Sequence, residues 1–296
     1  MSPAQNRAAL RGALAMLTVG TLVAVSARIG DYPVFLGQAL RYALGALALF
    51  AVLAVRRPPR VRLRPGQWLL LAALSLVGLV VFNVCIVVGN HYASPATIGT
   101  IIGASPVVMG LAGPLLARKR PTPRLLLAAA IVAAGTAVAT GLGGASPLGV
   151  LLGVGALIGE VSFSLLAVPL LPVLGALRVS AYSAALAVPM LLTIGVATGG
   201  ELRLPTPAEG LALGYLGLVV TAGAFLLWYG ALPRLGADRA GLLAGIMPIG
   251  AVLTMVVLGI GTPKPGELLG GALVVAGILY GMRTPREARV PAEVTA

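Results

Sequence analysis

Charged residues are scarce in this sequence. They make up 10% of the 296 residues, while 58% are hydrophobic, whereas soluble proteins carry about a quarter charged residues. This shortage excludes an ordinary soluble protein and indicates a chain that lies in lipid. Cysteine is nearly absent: the sequence contains only Cys85, which lies in an apolar run. One cysteine excludes an internal disulfide framework and a multi-cysteine metal site.

Acidic residues are also few. Eight Asp and Glu stand against 21 Lys and Arg, which gives a formal net charge of +13. The basic residues cluster between apolar runs and do not lie on amphipathic helices or aromatic-rich strands, so we expect no nucleic-acid partner. No nucleophile triad, phosphate-binding glycine loop or metal motif stands out. We therefore expect no enzyme activity, no catalytic residues, no cofactor and no bound metal.

Long apolar runs dominate the rest of the sequence. A membrane-spanning helix needs about 20 mainly apolar residues, and the runs bounded by charges, Gly or Pro predict ten of them. The predicted spans are residues 8–27, 33–55, 67–90, 94–117, 125–142, 148–171, 179–198, 207–230, 239–258 and 266–282. The sequence thus predicts an all-α integral membrane protein with short loops and no soluble domain.

The basic residues predict the orientation of these spans. Lys and Arg in short loops are held on the cytoplasmic side. With the N-terminus inside, 17 of them fall in inner segments, and the outer segments hold only Arg28, Arg203 and Lys264. We expect a multi-pass protein of the cell membrane with both termini cytoplasmic. The first span lacks a small-residue cleavage site, so we expect it to be retained and not to act as a signal peptide.

The sequence contains an internal repeat. A shift of 142 residues aligns residues 99–135 with 241–277 without a gap, and 13 of the 37 positions are identical, including three prolines. This predicts two related halves, residues 8–142 and 148–282, followed by a cytoplasmic tail, 283–296. Each half holds five spans, an odd number, so the second half enters the membrane from the opposite side. Inverted repeats of this kind are typical of secondary transporters.

Several motifs resemble one transporter family. The fourth span, NHYASPATIGTIIGASPVVMGLAG from Asn90, and the ninth, ALPRLGADRAGLLAGIMPIGAVLTMV from Ala231, are similar to the EamA-like family of the drug/metabolite transporter (DMT) superfamily. The closing helices LLAAAIVAAG from Leu126 and LLGGALVVAG from Leu268 resemble it too. The resemblance implies a ten-helix fold, a central cavity lined chiefly by helices other than the fifth and tenth, and export or exchange of small metabolites.

The sequence departs from that family at one motif. Family members commonly end the fourth and ninth helices with a Gly-Glu pair, whereas this chain has Ala117-Arg118 and Gly259-Ile260. The two carboxylates are absent, so no role of theirs carries over.

Two charged residues lie deep inside predicted spans, away from the span ends, where a charge costs at least about 2.5–3.5 kcal/mol on insertion scales. Glu160 is interpreted as a proton-binding carboxylate or a partner for a substrate cation, and the alternative is a structural hydrogen bond or ion pair with Arg41. Arg41 has three open interpretations: it binds an anionic substrate group, it pairs with Glu160, or it reaches outward as an interfacial anchor.

Other residues in the spans are weaker candidates. Pro106 and Pro248 lie beside Gly103 and Gly245, and proline removes a helix hydrogen bond, so these positions are candidate gating hinges or static kinks. Polar atoms in spans tend to face inward, which adds the cavity candidates Asn83, Ser105, Trp228 and Tyr229. The two aromatic residues have an alternative place in an interfacial belt.

Together these features predict a secondary transporter, working as an exporter, that moves small organic metabolites such as amino acids or drug-like solutes by alternating access. Proton coupling through Glu160 is an open part of that hypothesis. The alternative is an intramembrane lipid-handling enzyme that uses Glu160 and Arg41 on a headgroup. The expected partners are a small-molecule substrate and the lipid bilayer, and assembly as a homodimer is left open.

Overall fold

In the part of the chain that the structure describes, ten helices are long and apolar enough to cross a membrane. The computed structural model describes residues 2–26, 28–29, 32–59, 61–141, 145–259 and 262–282, so the predicted tail, 283–296, lies outside the described residues. The helices are α1 Pro3–Ser26, α2 Val34–Arg56, α3 Pro65–Gly89, α4 Thr97–Leu116, α5 Pro123–Thr140, α6 Pro147–Leu165, α7 Leu171–Ala197, α8 Pro207–Leu235, α9 Ala237–Val257 and α10 Pro265–Met282. The predicted all-α membrane fold with ten spans is confirmed.

Proline and a hydroxyl cap set many of the helix starts. Proline suits the first helical turn because its missing N–H has no partner there in any case, and it opens α3, α5, α6, α8 and α10. The Ser146 hydroxyl accepts from the Gly149 N–H at the start of α6, and Thr206 forms a capping box with Glu209 at the start of α8. These signals explain why the predicted boundaries lie within a few residues of most observed ones.

The boundary between the sixth and seventh spans differs from the prediction. The sixth span was expected to run to residue 171 and the seventh to begin at 179, but α6 ends at Leu165 and α7 begins at Leu171. The apolar residues after Leu171 belong to α7, which continues across a kink at Gly175, where φ is +70°. Arg178 was assigned to a loop, yet it lies within α7 and its guanidinium donates to the Pro59 carbonyl.

Helix packing follows the twofold relation between the halves. Helix α1 packs on α8 and α9, and its repeat counterpart α6 packs on α3 and α4. Helices α2 and α7 pack on each other, as do α5 and α10, and these are pairs that an exchange of the halves maps onto themselves. Consecutive spans alternate in direction, so five spans per half invert the second half relative to the first.

The α5–α10 contact shows this symmetry at atomic scale. A Cβ on Gly270 would lie 2.4 Å from the Gly135 carbonyl oxygen, and a Cβ on Gly277 would lie 3.1 Å from the Ala128 carbonyl oxygen. The 142-residue shift relates Gly135 to Gly277 and Ala128 to Gly270. Small residues therefore let the two backbones approach closely at two equivalent places.

Helices α4 and α9 are both irregular just before a proline. The α-helical part of α4 stops at Ile102 and resumes at Ser105, while α9 has a 3₁₀ turn at Ala244–Ile246. The proline ring displaces the carbonyl four residues earlier and lacks the N–H that would bond to it. Those carbonyls belong to Ile102 and Ala244, so Pro106 and Pro248 account for the two breaks.

Two π-helical segments interrupt α3 and α8. They span Leu76–Val81 and Leu216–Gly223, near equivalent positions of the two halves. Hydropathy did not predict them, although the sequence GLVV recurs at Gly78 and Gly217. Such segments widen the helix locally and are frequent at functional sites.

Candidate functional site

An aromatic cluster joins three helices inside the bundle. It consists of Tyr42 on α2, Phe163 on α6, and Phe225 and Tyr229 on α8. The ring centroids of Phe163 and Phe225 are 4.7 Å apart, those of Phe163 and Tyr229 are 4.9 Å apart, and those of Tyr42 and Phe225 are 6.4 Å apart. These separations are typical of favourable aromatic pairs. The cluster forms one wall of the candidate site.

Trp228 and Tyr229 are held by α6. The Trp228 indole N–H donates to the Ser164 hydroxyl at 3.0 Å, and the Tyr229 hydroxyl donates to the Phe163 carbonyl at 3.0 Å. Both aromatic residues are buried, with 2% and 1% of their surface exposed. They therefore belong to the interior of the bundle and not to an interfacial aromatic belt.

Asn83 extends the site to α3. Its amide nitrogen donates to the Leu79 carbonyl at 2.7 Å and to the Tyr42 hydroxyl at 3.3 Å. The side chain is buried, and the second bond ties α3 to the aromatic cluster. Asn83 thus lies where the sequence placed it, on an inward face.

Glu160 faces the same interior. Ala156 and Ser164, four residues before and after it on α6, are fully or nearly fully buried, whereas Ile158 on the opposite face is 56% exposed. Phe163 of the aromatic cluster lies three residues after Glu160 on α6, on the same face of the helix. Among the described residues no hydrogen bond or ion pair to the Glu160 carboxylate is formed, and the side chain is only partly buried. Glu160 is therefore an inward-facing acid whose oxygens are open to a proton or a cation.

Arg41 is buried beside Tyr42 of the cluster. Only 6% of its surface is exposed, so it is not an outward-reaching anchor. Its Nε donates to the Thr221 hydroxyl of α8 at 2.8 Å, Nη1 donates to the Gln38 side-chain oxygen at 3.1 Å, and the guanidinium lies 5.1 Å from the Tyr42 ring centroid. A cation over an aromatic face and two oxygen acceptors together replace part of its lost hydration.

Arg41 and Glu160, both in the described part of the chain, do not form an ion pair within 4 Å. The Arg41 guanidinium donates to neutral oxygen acceptors. The Glu160 carboxylate has neither a hydrogen-bond donor nor an ion-pair partner among the described residues. The site therefore offers a cation and an acid as separate groups on α2 and α6, with the aromatic cluster attached to both helices.

Each π-helical segment lies against one of these charged residues. The segment of α8 passes so close to α2 that a Cβ on Gly217 would be 2.9 Å from the Arg41 carbonyl oxygen. The segment of α3 contacts α6 beside Glu160, where a Cβ on Gly78 would be 2.9 Å from the Phe163 Cα. Glycine at both contacts permits this approach. The π-helical segments of α8 and α3 therefore pack against the helices that carry Arg41 and Glu160.

The remaining sequence candidates lie on α4 and α9. Ser105 is 1% exposed, and its hydroxyl has no hydrogen-bond partner among the described residues. Gly103 rests on Thr136 and Gly245 rests on Val132, so that both glycines at the helix breaks pack on α5. These residues form a second group, separate from the aromatic cluster in the contacts that the structure describes.

A charged contact, here called the latch, lies at the start of α8. Arg203 makes a two-pronged contact with Glu209, at 2.6 and 2.8 Å, and its guanidinium lies 4.7 Å from the Tyr32 ring centroid. The Tyr32 hydroxyl donates back to the Arg203 carbonyl at 2.9 Å. The latch joins the start of α8 to the loop before α2 and was not predicted, although the Thr206-x-x-Glu209 capping pattern marks Glu209.

Sequence reasoning missed most of the groups that hold the site. Thr221, Gln38, Ser164 and Phe163 act as partners, and Tyr42 links two helices. The only local signal was the grouping of aromatic residues at 225, 228 and 229 on one helix face. No group of three or more metal-ligating side chains is found among the described residues.

Comparisons with known proteins agree with this architecture. A model of the EamA-like transporter family matches the chain twice, over residues 6–141 and 147–282. The protein described as the uncharacterized transporter YetK of Bacillus subtilis (strain 168) is 26% identical over 279 residues, covering 90% of this chain and 84% of that protein. A solved crystal structure, 23% identical, superposes with a TM-score of 0.79 and covers 93% of this chain and 97% of its own. That last likeness concerns the fold alone.

Proposed function

The chain belongs to the EamA-like transporter family, and on that premise we propose that it is a secondary exporter of small organic metabolites that works by alternating access. Membership of a transporter family makes the chain a membrane transporter and not an enzyme, so the lipid-handling alternative is set aside. The single observation that carries the mechanism is Glu160, an inward-facing acid of a membrane span without a protein partner among the described residues.

Glu160 is assigned the coupling role. A charged carboxylate inside a span is costly unless a proton, a cation or hydrogen-bond donors compensate it. Its described surroundings supply aromatic rings and the Tyr229 hydroxyl, which already donates to the Phe163 carbonyl. Protonation, or the arrival of a substrate cation, therefore compensates the charge best. Competition between these two events at one carboxylate would couple proton entry to substrate release.

Arg41, Asn83 and the aromatic cluster are assigned to substrate binding. The cluster offers apolar faces, Asn83 offers an amide, and Arg41 offers a cation at the far side. Such a site suits a small solute with an apolar body and polar ends, of which amino acids are one example. Trp228 and Tyr229 complete the proposed lining, whereas Ser105 lies in the separate group on α4 and α9 and is not assigned to it.

The two halves, residues 8–142 and 148–282 with their first helices α1 and α6 exchanged, are assigned as the moving units, since each first helix packs on the other half. In transporters built from inverted repeats, rocking of the halves around a midplane site exposes that site to one side at a time. The breaks at Gly103–Pro106 and Gly245–Pro248 lie at equivalent positions of the halves and serve as the hinges. The protein then operates in the cell membrane with both termini in the cytoplasm.

The proposal predicts that Glu160→Gln uncouples transport from a pH gradient. We would measure labelled amino acids and other small organic solutes in proteoliposomes, with and without an imposed gradient. One pH unit corresponds to about 1.4 kcal/mol, which can drive about a tenfold accumulation for each proton exchanged. The variant should lose that accumulation yet retain exchange of labelled for unlabelled solute, because glutamine keeps the shape of the side chain.

Glu201→Gln is the matched control, because Glu201 is exposed in the loop before α8 and its removal changes the net charge equally. The control should behave as wild type. Gradient-driven accumulation by Glu160→Gln equal to that of wild type would exclude Glu160 from coupling. A wild-type protein that moves none of the solutes under any gradient would count against small-metabolite transport as a whole.

A further inference from the structure

A cavity of ≈ 420 Å³ opens at the end of the bundle that the charge pattern assigns to the cytoplasm. It lies between the α4–α5 loop and the α8–α9 loop, and none of the residues of the aromatic cluster lines it. Its lining residues are Gly113, Pro114, Ala117, Lys119, Arg120, Thr122, Arg124, Leu125, Leu235, Gly236, Ala237, Asp238, Arg239 and Gly281. The volume lies within the range of about 300–1,000 Å³ that ordinary ligand sites have.

Four cations line this basic cavity, and they come from two distant parts of the chain. Lys119, Arg120 and Arg124 belong to the first half, and Arg239 to the second. Among the described residues the side chains of Lys119, Arg120 and Arg239 make no hydrogen bond or ion pair. Their charges are therefore available to a ligand.

The other charged groups of the basic cavity are already engaged. The Arg124 guanidinium donates to the Tyr280 carbonyl at 2.7 and 3.2 Å and lies 5.3 Å from the Tyr280 ring centroid. Asp238, the one acid, accepts from the Arg239 backbone N–H at 2.9 Å. That bond directs the Asp238 carboxylate to the start of α9. Among the described residues no ion pair within 4 Å joins Asp238 to any of the four cations.

The repeat fold does not require these charges. The 142-residue shift pairs Arg120 with Thr262, Arg124 with Gly266 and Arg239 with Thr97. The equivalent positions of the other loops thus lack the cation cluster. A general preference for positive loops explains the sign of the charge but not its convergence from both halves on one cavity.

The surroundings point to a lipid as the source of the ligand. Leu115 and Leu116, which precede the basic loop, are 62% and 70% exposed, and Leu279 on α10 is 58% exposed. These side chains belong to membrane-spanning helices and face outward, so the basic cavity adjoins a surface that contacts acyl chains. Basic pockets between helices on the cytoplasmic side are suited to anionic headgroups. We propose that the basic cavity binds the phosphate group of an anionic phospholipid.

Native mass spectrometry of the full chain tests this, using micelles that contain phosphatidylglycerol or phosphatidylcholine. The wild type should retain phosphatidylglycerol preferentially. The double variant Arg120→Gln, Arg239→Gln should lose about fivefold in that preference for each cation removed, since a basic residue near a bilayer contributes about 1 kcal/mol. The single variants Lys119→Gln and Arg120→Gln alter side chains without described partners, so they keep the test usable if the double variant unfolds.

The double variant Arg56→Gln, Arg57→Gln is the matched control. It removes the same charge from exposed positions at the end of α2, on the same expected side of the membrane. It should retain phosphatidylglycerol as wild type does. An equal loss in this control, or full retention by the basic-cavity variants, would overturn the proposal. Binding of inorganic phosphate without any retention of phosphatidylglycerol would also overturn it, because the site would then serve a soluble anion.

Discussion

Burial of Arg41 is balanced by neutral groups and not by an acid. Its Nε bonds to Thr221 and its Nη1 to Gln38, while the Tyr42 ring covers the guanidinium. The charge therefore remains formally uncompensated in the described bundle. Glu160 on α6 has the opposite charge, and it too has no ion-pair partner among the described residues. Two unpaired charges of opposite sign are more useful to a polar substrate than an ion pair that the substrate would first have to break.

We predict that Thr221→Val destabilises the protein through Arg41. Valine keeps the shape of threonine but removes the acceptor of the Arg41 Nε–H, and a buried donor left without a partner costs about 1–3 kcal/mol. The midpoint of thermal unfolding in detergent should fall accordingly. Thr221→Ser, which keeps the hydroxyl, should restore most of the loss.

Thr193→Val serves as the control for this substitution. The Thr193 hydroxyl is exposed and bonds only to the Pro189 carbonyl of its own helix, so its removal should have little effect. Equal unfolding midpoints for Thr221→Val and Thr193→Val would show that the bond to Arg41 contributes nothing to stability.

The sequence identified the charged residues of the site but not their partners. Arg41 and Glu160 stand out because a charge in an apolar run is costly, so its presence there indicates a functional or structural role. Thr221 lies 180 residues from Arg41 in the chain, and an ordinary threonine carries no sign of which helix it faces. Contacts between helices depend on packing, which hydropathy does not encode.

At the level of helices, glycine permits the closest backbone contacts between spans. In the α5–α10 contact, a Cβ added to Gly270 would lie 2.4 Å from backbone atoms of α5. Backbone atoms cannot turn aside as a flexible side chain does, so this contact admits only glycine. The α5–α10 pair is thus a tight scaffold against which the glycines of the α4 and α9 breaks also rest.

We predict opposite effects for two neighbouring glycines of α10. Gly270→Ala places its Cβ 2.4 Å from both the Ala139 nitrogen and the Gly135 oxygen, whereas Gly271→Ala meets nothing closer than Ile249 Cγ1 at 3.6 Å. The first should force the helices apart at a cost of about 1–3 kcal/mol. The second should be neutral or stabilising by up to about 1 kcal/mol, because alanine favours helix.

The unfolding midpoints of the two alanine variants, measured in the same detergent, decide this prediction. Both substitutions add one methyl group to the same helix, so differences in expression or hydrophobicity cancel. A Gly270→Ala protein as stable as Gly271→Ala would mean that α5 and α10 do not approach as closely as the structure has them.

Helix existence was predictable from hydropathy, while helix irregularity was not. Runs of apolar residues separated by proline and charge give the ten spans directly. The π-helical segments at Leu76–Val81 and Leu216–Gly223 leave no mark in composition, since an extra residue in a turn changes hydrogen bonding and not polarity. The α6–α7 boundary was misplaced because Gly175 and Arg178 resemble a loop yet lie within a kinked helix.

For the whole molecule, the repeat was the most informative feature of the sequence. Three proline pairs at one offset and an odd number of spans per half implied two inverted halves. The structure adds which helices meet: α1 with α8 and α9, and α6 with α3 and α4. Each half therefore packs its first helix into the other half, so the halves are interlocked through exchanged contacts.

Inversion of the halves makes a sharp prediction about sidedness. In a Cys85→Ala background, which removes the only cysteine, Arg118→Cys and Lys264→Cys place single thiols at exposed residues of the α4–α5 and α9–α10 loops. These loops follow equivalent helices of the two halves, so they should lie on opposite sides of the membrane. A membrane-impermeant maleimide should label the Lys264→Cys protein in intact cells and the Arg118→Cys protein only in inside-out vesicles. Labelling of both from one side would mean that the halves are parallel, and a midplane site exposed alternately by their rocking would lose its structural basis.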